Sequence, residues 1–550
     1  MSPVDTAWLR MDRSVNRMVI VGVMKLHGPV DIERLARTLS VRLLAYPRFH
    51  QRVETGSTGS WWVDDAHFDI ARHIKRARLP GAGAKVELEA FVAELCSQPI
   101  DPTHPLWQFH IIEDYEGGVA LVPRFHHALA DGMALVAVLL SMTDETPDAP
   151  LHGGDADFGP DQDAHGHGLF APMAKALDRG VQASGELWRL ALKLLARPGS
   201  AAKLLQGGVG VASELAYLLL MPSDSQTRFK GAPRGSKRVA WSVPLALPEV
   251  KAISRALDCS VNDMLLTSVA GALRGYLEDK GDPTAGVEVR ALVPLNLRPP
   301  GSEHELGNYF GIVAVELPVG IADPIHRLRE VRRRMAELKQ SYEAPVTFGL
   351  FAALGFAPKL AQDRLFDMLL SRATAVMTNV PGPQHALYLA GARLEEIMFW
   401  VPQSGDIGMG VSILSFGGNV QFGLVTDAAM VPDPEAIIAR FNPEFEQLLY
   451  HVLMEPWGED ESERAEPEPA IVAVKRPKRR TPPEKPAIRK RAIKKATPEK
   501  APIKEPAPAK AATKKAAAKK TGAKQAPAAP KAAKQPPPRS NGARPRRTPA

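Results

Sequence analysis

The sequence predicts a mixed α/β (α+β) protein of two lobes joined by a crossover and followed by a disordered basic tail. Segments typical of strands alternate with segments of helical periodicity as far as about residue 453. A stretch rich in Asp, Gly, His and Pro at 145–185 interrupts this pattern. From about residue 465, Lys, Ala and Pro dominate without any aromatic residue, so this part has too few apolar side chains to build a core.

These changes in composition define four parts of the chain. We place an N-terminal lobe at 1–145, a crossover with a helical portion at 146–237, a C-terminal lobe at 238–460 and the tail at 461–550.

The elements of the first lobe follow from the spacing of its apolar residues. Leucines recur at helical spacing in 30–46, whereas 18–24 is an almost continuous apolar run, as in a buried strand. Pro123 lies inside a predicted strand, and because proline has no backbone N–H we expect an edge strand or a bulge there. Strands are predicted at 18–24, 107–113 and 117–125, and helices at 30–46, 85–97 and from 132 onward.

The second lobe shows the same alternation. Its longest predicted helix is "SVNDMLLTSVAGALRGYLED", followed by the strand "VEVRALVPLNL". Helices are predicted at 247–257, 260–279, 324–342 and 434–453, and strands at 287–297, 310–318, 374–379, 409–415 and 419–426.

The net charge of +8 conceals two opposite parts. Residues 471–550 contain 25 Lys and Arg against three Glu, whereas the remaining 470 residues contain 44 basic and 58 acidic residues. The protein is therefore an acidic globule with a basic tail, and such a tail can bind polyanions such as anionic lipid or DNA.

Only two cysteines are present, so the sequence offers no disulfide framework and a reducing compartment is expected. The first 24 residues carry several charges and no long apolar core, which predicts no secretory leader. No window of 18 uncharged apolar residues occurs, so any membrane contact should be peripheral.

The stretch "VALVPRFHHALADGMAL" at 119–135 places His126, His127 and Asp131 where a strand gives way to a helix. Four interpretations compete: buried core histidines, a metal site, a Ser-His-Asp hydrolase, or a histidine base acting on a hydroxyl. No third ligand lies nearby for a metal, and the chain lacks a G-x-S-x-G elbow. The histidine base is favoured, because imidazole can take a hydroxyl proton near neutral pH and return it to a leaving thiolate.

"HHALADG" resembles the HHxxxDG signature of the bacterial wax ester synthase/diacylglycerol acyltransferase family, part of the coenzyme A-dependent acyltransferases with an HxxxD motif. The resemblance covers about residues 1–455 and excludes the tail. Further stretches resemble family blocks in the family order, namely "DTAWLRMD", "HPLWQFHIIE", "SVNDMLLTSVAGALRGYL", "VPLNLRP", "LGNYFG", "TNVPGP" and "FGLVTD".

This resemblance implies a two-lobed fold like that of chloramphenicol acetyltransferase, with the active site in a tunnel between the lobes. It also implies transfer of a fatty acyl group from acyl-CoA to diacylglycerol, giving triacylglycerol, or to long-chain alcohols, giving wax esters. Acyl-CoA would be a substrate, and neither a cofactor nor a metal is expected.

The resemblance assigns roles around the motif. His127 would be the general base, and His126 would shape the site. Asp131 would be structural and would hold the corner together through an ion pair. Arg298 is our candidate for its partner, because an arginine at the end of a strand could reach Asp131 in a bidentate manner. Independently of the resemblance, Gly132 would allow a close turn or a close backbone approach where the helix begins.

Two further blocks suggest oxyanion and substrate contacts. The hydroxyl of Thr378 and the amide of Asn379 could stabilise the oxyanion of a tetrahedral intermediate. An apolar group, Pro105, Leu106 and Trp107, fits either core packing or the wall of a lipid channel.

Asn262 and Asp263 stand where the longest helix begins. They could be an N-cap pair that satisfies free backbone N–H groups. The resemblance suggests instead that Asn262 helps to order the active site.

Residues 187–197, "LWRLALKLLAR", predict a basic amphipathic helix, which fits either a membrane interface or a surface helix over the protein's own core. The expected location is the cytoplasm, with peripheral attachment to the inner membrane face or to lipid droplets. The alternative function is a non-catalytic lipid-surface protein that its basic tail tethers to polyanions.

Overall fold

The chain divides into two units between Asp460 and Glu461, and the described residues all belong to the first. The predicted helix at 187–197 and the tail lie outside them, and the predicted lobe boundaries stay predictions. The computed structural model describes residues 1–56, 59–150, 221–298, 306–339 and 370–454, together with 341, 344, 346–350, 359, 363 and 367.

The first sheet combines strands from both ends of the described chain. Among the described residues it has six strands, in the order β12-β13-β1-β6-β5-β4. Its strands are β1 (Val19–Leu26), β4 (Ile74–Ala77), β5 (Trp107–Tyr115), β6 (Gly118–His126), β12 (Tyr388–Leu389) and β13 (Ala392–Trp400). A separate hairpin consists of β2 (Gln51–Gly56) and β3 (Gly59–Asp64), and the helices of this region are α1 (Pro3–Met11), α2 (Ile32–Thr38), α3 (Lys85–Ser97) and α4 (Gly132–Ser141).

The second sheet has seven strands among the described residues, in the order β10-β9-β11-β14-β15-β7, with β8 paired to β15. Its strands are β7 (Lys237–Trp241), β8 (Leu245–Ala246), β9 (Val289–Asn296), β10 (Phe310–Leu317), β11 (Ala375–Pro381), β14 (Met409–Phe416) and β15 (Asn419–Asp427). Strand β11 runs parallel to both neighbours, whereas the other pairs are antiparallel. The helices are α5 (Leu247–Ala256), α6 (Val261–Asp279), α7 (Pro324–Leu338) and α8 (Pro434–Met454).

The mixed α/β class predicted from the sequence is confirmed, and most predicted elements are present within a few residues. The predicted helix at 30–46 ends as an α-helix at Thr38 and continues as a wider π-helical turn to Leu43. Strand β13 was not predicted, although it pairs along β1 from Val21 to Leu26.

The edge position predicted for Pro123 is wrong. Strand β6 lies between β1 and β5, and Pro123 pairs with Phe109 of β5. On the other side, pairing with β1 passes from Val21–Arg124 directly to Met24–Leu121, in one unbroken register and without a bulge. Proline has no backbone N–H to donate, and the interior strand β6 accommodates this through an interruption in its pairing with β1.

Strand β13 brings the two sheets together. Trp400, at its end, packs against Trp241 of β7 with ring centroids 5.5 Å apart, and both side chains are buried. The core of the first sheet accordingly includes residues of the second, such as Leu414 of β14. Within the described ranges, no helix is both long enough and apolar enough to cross a membrane.

Candidate active site

The predicted strand-to-helix corner is present. Strand β6 ends at His126, and α4 begins at Gly132 with Asp131 as its N-cap residue. The backbone N–H of His126 donates to Leu106 and that of His127 to Met18, at 2.9 and 2.7 Å. These bonds fix the corner between the residues that directly precede β5 and β1, so both imidazoles extend from a backbone that is held on two sides.

Asp131 connects this corner to the second half of the chain. Its Oδ1 accepts from the backbone N–H of Ala134, which caps α4 at 2.9 Å. Its Oδ2 accepts from Arg298 at 2.8 Å and from the backbone N–H of Tyr309 at 3.0 Å. The predicted partner is therefore in place, but the ion pair uses one Arg298 nitrogen and is not bidentate. The same nitrogen also donates to the carbonyl of Gly307.

His127 is enclosed by groups from distant parts of the chain. Its Nδ1 lies 3.0 Å from Oδ1 of Asn308, in the loop before β10. Trp8 of α1 stacks on the imidazole with centroids 4.2 Å apart and planes 17° apart, and Phe310 lies 5.6 Å away at a tilt. With Asp5 contacting Asn308, α1 contributes two side chains to the surroundings of this histidine.

Burial decides the protonation of both histidines. It lowers the pKa of His127 below 6.5, and the ring's own backbone carbonyl, Asp131, Asn308 and Asp5 oppose this only in part. Burial also lowers the pKa of His126, and the neighbouring His127 lowers it further. Both rings are therefore neutral near neutral pH, the form in which an imidazole can accept a proton.

An apolar recess adjoins the corner and is lined, among others, by Phe125 of β6 and Gly132 of α4. A second recess lies beside it, and the two share Val136 and Leu139 of α4 and Phe399 of β13 among their lining residues. The walls are almost entirely hydrocarbon, which suits an alkyl chain rather than a polar ligand.

Gly132 does not serve the close approach that we expected. A Cβ at this position would meet no described atom within 4 Å, and its φ is not positive. The glycine instead leaves open space at the edge of the first recess.

Thr378 and Asn379 do not form a joint oxyanion site in this structure. Thr378 lines the first recess together with Val380, and its hydroxyl lies 3.5 Å from that of Ser412. Asn379 stands between them on β11, and because successive side chains of a strand point to opposite faces, its amide lies on the other face. The structure therefore brings only Thr378 to the recess.

Pro105, Leu106 and Trp107 belong to the core and line neither recess. Trp107 is fully buried, and its indole N–H donates to the backbone carbonyl of Phe49 at 2.7 Å. Of the two interpretations, core packing and the wall of a lipid channel, the structure supports core packing.

Asn262 and Asp263 are buried in the first turn of α6, and the side-chain hydrogen bonds of Asp263 in the described structure go to Ser260 rather than to the histidines. The N-cap residue is Ser260 rather than either of them. Asp263 completes a capping box, since its backbone N–H donates to Ser260 Oγ and its carboxylate accepts from the Ser260 N–H. The side-chain amide oxygen Oδ1 of Asn262 has no hydrogen-bond partner in the described part of the chain.

Asp5, Trp8 and Asn308 surround the histidine but were not predicted as site residues. Two of them are buried polar side chains, 0% and 3% exposed for Asp5 and Asn308. The only signal was their occurrence in "DTAWLRMD" and "LGNYFG", which resembled family blocks but carried no assigned chemistry. Among the described residues, no group of three His, Cys, Asp or Glu side chains is placed to hold a metal ion.

Two family models match most of the described chain. Residues 1–265 match the wax ester synthase/diacylglycerol acyltransferase catalytic domain, and residues 306–449 match the WS/DGAT C-terminal domain. A relative named "Probable diacyglycerol O-acyltransferase tgs1", from Mycobacterium tuberculosis (strain ATCC 25618 / H37Rv), is 26% identical over 447 residues, which are 79% of this chain and 92% of the relative.

Solved structures share the fold. The wax ester synthase/diacylglycerol acyltransferase from Marinobacter aquaeolei VT8 superposes with a TM-score of 0.57 at 21% identity, covering 82% of this chain and 100% of that one. The first condensation domain of the calcium-dependent antibiotic synthetase superposes with a TM-score of 0.52 at 12% identity, covering 82% and 96%. Since the catalytic-domain model includes the corner and the C-terminal model matches most of the remaining described chain, the protein belongs to the wax ester synthase/diacylglycerol acyltransferase family of acyltransferases.

Proposed function

We propose that this enzyme transfers a fatty acyl group from acyl-CoA to the free hydroxyl of diacylglycerol, and that long-chain alcohols can replace diacylglycerol as acceptor. The observation that carries the proposal is the buried, neutral His127, held at a rigid corner close to an apolar recess in a chain of this family. The name of the mycobacterial relative supports diacylglycerol as the acceptor.

In the proposed reaction, His127 takes the proton of the acceptor hydroxyl while the oxygen bonds to the thioester carbonyl carbon. The tetrahedral intermediate then loses the coenzyme A thiolate as the C–S bond breaks, and the imidazolium returns its proton to that thiolate. The products are an ester and free coenzyme A, and the histidine ends neutral, as it began. No cofactor enters this sequence.

Asp131 has a structural role in this proposal. Its oxygens are occupied by the N–H groups of Ala134 and Tyr309 and by Arg298, so neither is directed at a substrate. It thereby holds α4, and with it one wall of the recess, against the loop that carries Asn308.

The adjoining recesses would hold an alkyl chain of one substrate. Together the two recesses run from Gly132 towards Met24 and Phe416, with α4 and β13 contributing to the lining of both. Apart from Thr378, the lining residues are apolar. Burial of each methylene contributes about 0.8 kcal/mol, so a long chain would bind much more tightly than a short one.

We also propose that the enzyme works at a membrane or lipid-droplet surface, because both substrates are hydrophobic. The basic tail would add attraction to anionic lipid.

The proposal is tested by turnover of labelled acyl-CoA with a panel of alcohols that includes diacylglycerol. We expect His127→Ala to lower turnover by about 10²–10⁴-fold while the protein stays folded, since only the proton acceptor is lost. His110→Ala is the matched control, because His110 is also buried but lies on β5 against α3.

Near-normal turnover in a folded His127→Ala protein would contradict the proposed mechanism. Absence of turnover in the unaltered protein with every acceptor would favour the non-catalytic lipid-surface alternative.

A further inference from the structure

The two adjacent histidines differ in the group that faces Nδ1. In His126 this atom lies 3.1 Å from the backbone nitrogen of Ala128, which donates to it. A backbone N–H can only donate, so Nδ1 of His126 must be the unprotonated, accepting nitrogen. The neutral ring of His126 therefore carries its proton on Nε2 and has no lone pair to offer there.

In His127, by contrast, Nδ1 faces an acceptor, the side-chain oxygen Oδ1 of Asn308 at 3.0 Å. The amide orientation of Asn308 is determined by its other contacts. Its nitrogen lies 2.7 Å from Oδ1 of Asp5 and 3.0 Å from the backbone carbonyl of His127, and both of these oxygens only accept. Turning the amide over would place its oxygen against a carboxylate, so Oδ1 faces His127.

Asp5 is itself held in place. It is fully buried, and its second oxygen lies 3.2 Å from Arg48, whose other terminal nitrogen donates to the carbonyl of Leu129. The contact with Arg48 fixes the orientation of the Asp5 carboxylate, whose other oxygen accepts from the Asn308 nitrogen and so keeps that nitrogen directed away from the histidine ring.

An accepting oxygen opposite Nδ1 requires that His127 carry its proton on Nδ1. Nε2 of His127 is then the nitrogen with a free lone pair, while Nε2 of His126 is protonated.

We propose that His126 and His127 are held in opposite neutral tautomers, and that Asn308, anchored by Asp5, is the positioning residue that makes Nε2 of His127 the base. The assignment of a base rests on the proposed acyl transfer, whereas the two tautomers do not depend on it. Two adjacent histidines thereby become chemically different, and only the second is equipped to take a proton through Nε2.

The tautomers can be read directly by nitrogen-15 NMR of the full-length protein labelled at histidine. Long-range proton–nitrogen spectra distinguish a ring protonated on Nδ1 from one protonated on Nε2, and spectra of His126→Gln and His127→Gln assign the two signals. We expect Nε2–H for His126 and Nδ1–H for His127 in a solution of neutral pH. The same tautomer for both rings would overturn the proposal, whatever the enzyme's activity.

The role of Asn308 is tested by Asn308→Leu, which has a similar size but no amide. We expect the His127 signal to become a mixture of tautomers, and kcat/KM to fall about 10–100-fold, as when an orienting partner of a functional histidine is lost. Asn16→Leu is the matched control, because Asn16 is an equally buried amide bonded to Lys237 and Gly405 but not to either histidine. This control should lose stability and keep the His127 tautomer.

The charge-conserving exchange Asp5→Asn with Asn308→Asp is the rescue. Its new carboxylate at 308 can accept from Nδ1–H, and the new amide at 5 can donate to it while accepting from Arg48. The exchange restores these contacts only, because the backbone carbonyl of His127 loses the donor that Asn308 supplies. We expect the tautomer to be retained and kcat/KM at its pH plateau to exceed that of Asn308→Leu. A carboxylate beside the ring raises the histidine pKa, so the fall of kcat/KM on acidification should begin at a higher pH.

An Asn308→Leu protein that keeps both the Nδ1–H signal and full kcat/KM would overturn the role of Asn308. An exchange variant whose acidic limb does not move to higher pH would overturn it too. If instead His127→Ala remains fully active while the NMR signals agree with the tautomers above, acyl transfer by His127 fails and the tautomer assignment stands.

Discussion

Replacing Asp131 by Asn tests whether this carboxylate is a structural group. Three donors converge on it, from Ala134, Tyr309 and Arg298, at 2.8–3.0 Å. The Asp131 and Arg298 side chains are only 6% and 3% exposed, so the ion pair is shielded from water.

An Asn side chain can satisfy only one side of this arrangement. If its oxygen continues to cap α4, its nitrogen faces Arg298 and the Tyr309 N–H, so three donors meet without an acceptor. If the amide turns over, the cap of α4 is lost, which costs about 1 kcal/mol by itself, and the guanidinium still lacks a counter-charge. Breaking a buried pair in this way costs about 3–5 kcal/mol, and we expect a loss in that range.

The loss is measured by urea unfolding of the full-length variant, followed by tryptophan fluorescence, together with turnover. Glu337→Gln is the control, because Glu337 and Arg333 form an ion pair whose side chains are 67% and 54% exposed. Such exposed pairs contribute only about 0–1 kcal/mol. An Asp131→Asn protein with the original unfolding midpoint but no chemical step would refute the reasoning and assign Asp131 a direct chemical role.

Three other changes test the recess, the buried histidines and the tail. Leu139→Trp should fill the space where the two recesses adjoin and reduce the preference for long over short acyl-CoA by about tenfold or more. Leu453→Trp, at the exposed end of α8, is the control and should leave this preference unchanged. Equal chain-length profiles in the two variants would contradict an alkyl site in the recesses. Burial, with Arg124 and Lys75 nearby, lowers the pKa of His110 to about 4. Titration of this histidine therefore leaves the free energy of unfolding unchanged above pH 6.5 and reduces it as the pH falls from 6.5 towards 4. His110→Leu should therefore stabilise the protein by about 2 kcal/mol more at about pH 5 than at neutral pH, and thermal melts with the same shift at both would disprove this. Removal of residues 471–550 should leave turnover in detergent nearly intact and abolish salt-sensitive binding to anionic vesicles or DNA. Undiminished binding of both would show that the tail does not attach the protein to polyanions.

Long elements with a consistent period were predictable from the sequence. The helix predicted at 260–279 corresponds to α6, Val261–Asp279, because a helix buried along most of its length shows its apolar period plainly. The strand-to-helix corner was predictable for the same reason, since an apolar strand and an apolar helix meet at His126–Gly132.

Strand β13 was not predictable by this means. Its sequence, "ARLEEIMFW", mixes charged and apolar residues without a clear period, and its pairing with β1 links positions more than 350 residues apart. Only the tertiary structure supplies such a partner. The face of β11 on which the Asn379 side chain lies was not predictable either, because it depends on how β11 pairs with its neighbours β9 and β14.

The sequence by itself determined the mixed α/β class, the motif that carries the histidines, and the separation of an acidic globule from a basic tail. These properties depend on composition and on residues close in the chain, where periodicity and spacing are visible. The tertiary structure decided which groups surround His127, because Asp5, Trp8 and Asn308 reach it only when α1 and the loop before β10 pack against the corner. A hydrogen bond across 181 residues has no local pattern, yet it is the contact that sets which nitrogen of the imidazole carries the proton.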